Sequence, residues 1–196
     1  MTQVNTESWR RYMAGEQTLE QHHLGRWASV GIPEARARLV DVEYRAHYDK
    51  IRVRVGARAM LSGLRSRGLR IGLLSNSTQE YVGERLRKMR LEGFFDHVAE
   101  FQPGRHKPMR AVFEASADAL GARPAETVMV GDLLDIDILP ALDAGYRHAI
   151  WVTNQSAPVP EAVTAVRSPR DVLRIVDALG LNAPPGNPSN PGVAGR

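Results

Sequence analysis

Cysteine is absent from these 196 residues. That excludes disulfides, thiolate metal sites and cysteine nucleophiles. Long apolar runs are absent as well: none approaches the roughly 18 residues of a membrane span. The opening MTQVNTESWRRYMAGE has no apolar stretch of the kind a secretory signal needs. A cytoplasmic protein with no membrane partner is the expectation. Lysine is scarce, with only Lys50, Lys88 and Lys107 among 26 basic residues. Aromatic residues make up 6% of the chain and do not interleave with the clusters RSRGLR (65–70) and RLRKMR (85–90), so stacking platforms for bases are missing. The net charge of +4 is therefore read as solvated helix faces, and no nucleic-acid partner is expected. What is present, 43% hydrophobic residues, suffices for the core of one ordinary domain.

The pattern changes once along the chain. Residues 1–54 read as helical throughout: Thr18 to Gln21 fits a capping box opening a helix that runs to Val30, and Pro33 suits the start of another that runs to about Tyr48. Residues 55–182 instead alternate short apolar runs with helical periodicity. LRIGLLSN (69–76), TVMVGD (127–132) and HAIWV (148–152) read as strands, HVAE (97–100) as a weaker one, with helices over 57–67, 78–90, 108–120, 136–144 and 169–179. That alternation predicts an α/β fold, a three-layer arrangement with a parallel sheet between helices. Ligands of such sheets lie beyond the carboxyl ends of the strands, where Ser75 and Asp132 fall. The last fourteen residues hold four prolines and three glycines and are expected to form a disordered tail over 183–196.

Three features carry chemistry. Asp132, Asp135 and Asp137 follow Gly131 at the end of a strand. Two carboxylates so spaced can share one oxygen-ligand site, one on a cation and one orienting it, which suits Mg²⁺; Asp135 and Asp137 equally suit the start of a helix near Ile136. Ser75 offers a hydroxyl, and the amides after it, to a phosphate oxygen, or serves as a helix N-cap. Lys107, in the polar loop GRHKP, can neutralise anionic oxygens. Trp9, Tyr12 and Trp27 could line a space beneath these helices, but their helical spacing reads as core.

Taken in this order, LRIGLLSNS, GRHKP and VMVGDLLDID, supported by FFDHV and DAGYRHAIWV, resemble the second, third and fourth motifs of the haloacid dehalogenase (HAD) superfamily; the likeness covers roughly Trp9 to Leu179. It implies a Rossmann-like HAD-type core over 55–182 behind an incomplete helical cap over 1–54. It further implies Ser75 and Asn76 as phosphate-binding residues, Lys107 as a catalytic and phosphate-binding cation, Asp132 as a ligand of Mg²⁺ and Asp137 as its support. Members are mostly Mg²⁺-dependent phosphatases of small phosphorylated metabolites that form an aspartyl-phosphate. The nucleophile and the acid-base aspartate of that chemistry come from a first motif, an apolar strand ending in Asp-x-Asp, for which residues 1–196 offer no match ahead of the cap. The resemblance thus implies a chain truncated within its cap, weak or absent Mg²⁺ binding, little or no turnover as written, and a break where the first-motif strand belongs between 70–74 and 127–131. A non-catalytic member kept for binding and a metal-free 2-haloacid dehalogenase are the alternatives.

Overall fold

The computed structural model describes residues 3–48, 52–99 and 102–181; the expected tail at 183–196 lies outside them, as do residues 49–51 at the expected boundary of the cap. Three helices come first: α1 (Gln3–Met13), α2 (Leu19–Ala28) and α3 (Glu34–Tyr48). The capping box at α2 is formed, with Gln21 N–H donating to the Thr18 hydroxyl (3.1 Å) and the Thr18 N–H to the Gln21 side chain (2.7 Å). Aromatic rings tie the three helices together. Trp9 and Tyr12 meet His22 with centroids 5.2 and 5.7 Å apart, and Trp27 meets Tyr44 edge-on at 5.1 Å while donating its N–H to Asp41. Tyr12 is buried, while Trp9, Trp27 and Tyr44 are half-buried between the helices.

The remaining elements are α4 (Ala57–Ser66), β1 (Gly72–Leu73), α5 (Gln79–Lys88), β2 (His97–Val98), α6 (Arg110–Ala119), β3 (Val128–Gly131), α7 (Leu139–Asp143), β4 (His148–Val152), β5 (Val163–Val166) and α8 (Asp171–Ala178). All strand pairings are parallel, as the strand–helix alternation predicts. β4 is buried along its whole length, and its side chains part by the two-residue period of a strand. Ile150 and Val152 pack with Leu61, Leu64, Val172 and Val176 from α4 and α8. Ala149 and Trp151 pack on the opposite face with Ile138 and Val163.

The described strands do not make one sheet. β1 pairs with β2, β3 and β5 flank β4, and no ladder joins β1 to β3. Yet both sheets serve the same two faces. Ile71, just before β1, shares a cluster with Val128 and Val130 of β3, while Leu74, just after β1, packs with Met129 and α6 on the other side. The helical layers are therefore continuous across a break in the middle layer. It falls where the resemblance implied a missing strand. β3 is only half-buried although it lies between two helix layers, in contrast to β4. The basic clusters are dispersed on helix surfaces: Arg65 meets Asp96, Arg67 meets Asp177 and Lys88 meets Glu84.

His148 begins β4 and is 9% exposed, with Nε2 2.8 Å from the Thr164 hydroxyl on β5. Burial, and then the neighbouring Arg147 charge, push its pKa below the usual value. The unfolded chain therefore binds more protons than the native one across the interval below about 6.5. The stability His148 contributes is present above that value and is lost as the pH falls through its folded pKa. His148→Gln should flatten this part of the stability profile in urea titrations between neutral and mildly acidic pH; an unchanged slope would assign the dependence to other groups.

Candidate active site

Four chain segments meet at the carboxyl ends of β1 and β3, and the local sequence explains each approach. After β1 the chain passes through Ser75 and Asn76 before α5 begins. The N-cap of α5 is Thr78, whose hydroxyl accepts from Tyr81 N–H; Ser75 is not needed for that role. The Ser75 hydroxyl instead accepts from the Ser77 N–H at 3.1 Å in a tight turn, and its own proton stays available for an acceptor outside the chain.

Lys107 is held from both ends. The Asn76 carboxamide accepts from the Lys107 N–H (2.8 Å) and donates to the Lys107 carbonyl (2.9 Å), so the peptide group is fixed by a two-point pairing. At the other end, the Lys107 ammonium donates to Asp137 Oδ1 at 2.6 Å. The ammonium and carboxylate side chains are 12% and 5% exposed. The lysine that the sequence singled out by scarcity is thus part-buried and rigid, unlike an ordinary loop lysine.

Asp137 reaches Lys107 because the chain after β3 takes a widened turn. Leu134–Ile138 is a π-helical turn, with the Leu139 N–H donating to the Leu134 carbonyl. Pro140 follows it, and proline brings no N–H to continue a regular α-helical ladder. The wide turn lays Asp137 against Gly131, where a Cβ would stand 2.5 Å from the Asp137 Cβ and 2.8 Å from Oδ2. Only glycine admits that approach. The second oxygen, Oδ2, accepts from the Leu133 N–H at 3.1 Å, so Asp137 ties the lysine to the start of the turn. Both carboxylate oxygens are engaged.

Asp132 differs from Asp137 in every respect. It is exposed, and its carboxylate has no ion-pair or hydrogen-bond partner among the described residues. Its backbone is nonetheless fixed, because the buried Trp151 on β4 donates its indole N–H to the Asp132 carbonyl at 3.1 Å. The register that puts Gly131 opposite Trp151 makes this contact possible. Asp135 is exposed and takes no part.

The arrangement gathers the predicted residues Ser75, Asn76, Lys107, Asp132 and Asp137 into one linked region. It adds Trp151 and Gly131, which the sequence did not mark as site residues. Gly131 carried a signal, a glycine between an apolar strand and an acidic cluster; the Trp151 contact depends on strand register and left none. As to a metal, no group of three acidic or histidine side chains gathers among the described residues. Asp132 is one free carboxylate, and the second, Asp137, is occupied by Lys107 and Leu133. These residues do not by themselves fit a resident Mg²⁺, an ion that gives up its water reluctantly.

A family model described as "Hydrolase: haloacid dehalogenase-like hydrolase" matches residues 2–145. The N-acylneuraminate-9-phosphatase of Rattus norvegicus is 35% identical over 104 residues, which cover 53% of this chain and 41% of that enzyme. The ribulose-1,5-bisphosphate 5-phosphatase of Halopiger xanaduensis is 25% identical over 176 residues, covering 88% of this chain and 71% of the relative. Among solved structures, the magnesium-bound HAD-hydrolase YfnB of Bacillus subtilis superposes with a TM-score of 0.70 at 22% identity, over 89% of this chain and 79% of that one. The chain spans about two fifths to one half of the length of the mammalian relatives it matches.

Proposed function

The chain belongs to the haloacid dehalogenase-like hydrolases, and on that premise we propose that residues 1–196 form the phosphoryl-binding half of a phosphomonoester hydrolase acting on a small phosphorylated metabolite. The observation that carries this reading is the Lys107 ammonium. Asp137 holds it, Asn76 holds the backbone of the same lysine, and the two neighbouring segments carry a serine hydroxyl with a proton to give and the Asp132 carboxylate on a fixed backbone.

Each residue has a role that follows from its surroundings. Ser75 donates its hydroxyl proton to a phosphoryl oxygen. Lys107 neutralises negative charge that builds up on the transferring group, and its preorganisation means that no reorganisation is required as the charge develops. Asn76 and Asp137 are positioning residues that act through Lys107. Asp132 is the carboxylate that would face a cation, and alone it would hold Mg²⁺ weakly; Mg²⁺ dependence belongs to the state in which a further carboxylate joins it. The nucleophilic aspartate implied by the family resemblance is not among the residues gathered here. The helices α1 to α3 would cover the substrate from the cap side.

Inorganic phosphate is the direct probe of this site. Titration calorimetry should give saturable binding to the 196-residue chain, weakened by roughly tenfold in Ser75→Ala, the order expected for loss of a hydrogen bond to a charged group. Equal affinities for the two proteins would remove Ser75 from the phosphoryl site.

A further inference from the structure

Next to the phosphoryl site lies a cavity of about 340 Å³, lined along one side by Ser75 and Asn76. His97, Gln102, Arg105 and His106 also line it, and Leu74 after β1, Val98 of β2 and α6 supply its apolar wall. Its charge is one-sided. The described lining contains one arginine, two histidines and no carboxylate.

Arg105 differs from several arginines of this chain. Arg65, Arg67, Arg110 and Arg123 each sit on a carboxylate. Arg105 is exposed and has no acidic partner among the described residues. Its backbone is nevertheless well anchored. Gln102 and Arg105 bridge across the Pro103–Gly104 turn, and the Gly104 N–H donates to the Met13 carbonyl at the end of α1 (2.7 Å). A guanidinium on a fixed stem, with no acidic partner and no carboxylate in the lining among the described residues, is available to an anion from outside. His106 stands beside it. Its Nδ1 is 2.8 Å from the Lys107 carbonyl, and because a carbonyl only accepts, Nδ1 carries the proton and Nε2 is left free.

We propose that this cavity receives the alcohol portion of the substrate and that this portion carries a carboxylate, bound by Arg105. The inference rests on the phosphoryl-site reading above, since the cavity begins at Ser75. The cavity offers one permanent cation, which balances the single charge of a carboxylate and meets it through two parallel hydrogen bonds. The substrate class is therefore a phosphorylated sugar acid or hydroxy acid.

The test compares 6-phosphogluconate with sorbitol 6-phosphate by titration calorimetry. The two open-chain esters differ only in a carboxylate in place of a terminal hydroxymethyl group, and inorganic phosphate is run alongside. The chain should bind 6-phosphogluconate at least about tenfold more tightly, the order of a charge-assisted pair. Arg105→Gln should bring the ratio to about one, and Arg105→Lys, which keeps the charge and loses the fork, should retain part of the preference. If phosphate binds but both esters bind equally, or if the preference survives Arg105→Gln, the carboxylate subsite is wrong while the phosphoryl site stands. If phosphate does not bind at all, the phosphoryl-site reading itself has failed and takes this one with it.

Discussion

Lys107→Met is expected to destabilise the chain by about 3–5 kcal/mol, the usual result of removing one partner from a buried ion pair. The reason lies in Asp137. Its side chain is 5% exposed, it rests on Gly131 with no room to swing away, and one of its oxygens faces only the ammonium. Without the cation, the carboxylate is left in a poorly solvated place with no counter-charge on that oxygen. The double variant Lys107→Met with Asp137→Leu should recover much of the loss, because a buried pair replaced by apolar groups of similar size is often neutral. Arg67 and Asp177 provide the contrast. They form two hydrogen bonds of 2.7 and 2.8 Å, but on the surface, where solvent and salt screen them, and Arg67→Met should change stability little. Urea unfolding of the two single variants, the double variant and the surface control would decide the matter. A Lys107→Met chain as stable as the parent would show that the pair is not closed in solution.

Much of this fold was legible from the sequence because its signals are local. An apolar run that fills both faces of a strand, as HAIWV does, has few other readings, and β4 spans the predicted residues His148–Val152. The capping box at Thr18 is likewise a contact within four residues. β5 escaped because VTAV is short and mixed; only its pairing with β4 makes it a strand. The site was legible as a set of residues but not as a set of roles. Serine, lysine and aspartates stood out by position and scarcity. That Asp137 serves Lys107, while Asp132 stands free, depends on a π-helical turn ahead of Pro140 that no periodicity announces. Asn76 and Trp151 act through contacts 31 and 19 residues away in sequence, and such contacts leave no spacing to read. β1 shows the limit from the other side. LRIGLLSN reads as a full strand, yet its ladder with β2 holds only Gly72 and Leu73, since strand length is set by partners as well as by sequence.

That short ladder leads to the second expected result. An apolar peptide ending in Asp-x-Asp-x-Thr, whether part of a longer chain or added separately, should enter between β1 and β3, stabilise the fold by several kcal/mol and switch on phosphomonoester hydrolysis. The sheet edges that would receive it already face one another within continuous helix layers, with Ile71 and Val128 in one cluster and Leu74 and Met129 in the other. A buried backbone group left without a partner costs roughly 1–3 kcal/mol, and a strand of ordinary length would pair several such groups on both edges. For a chain of this size each kcal/mol gained raises the melting temperature by about 2–4 °C, so the effect should be plain in thermal unfolding. The peptide's carboxyl end would emerge beside Ser75 and Asp132. There its first aspartate would attack phosphorus as the alcohol departs with a proton from the second, and water would then split the aspartyl-phosphate. Without the peptide, hydrolysis should stay at background, because the residues gathered at Lys107 bind and neutralise but provide no nucleophile aimed at phosphorus. Hydrogen exchange separates the structural part of this argument from the catalytic part. The amides of β3 should exchange faster than those of β4 in the peptide-free chain and slow when the peptide binds. Strong, equal protection of both strands in a peptide-free monomer would mean that the middle layer is already complete and that the break between β1 and β3 does not exist in solution.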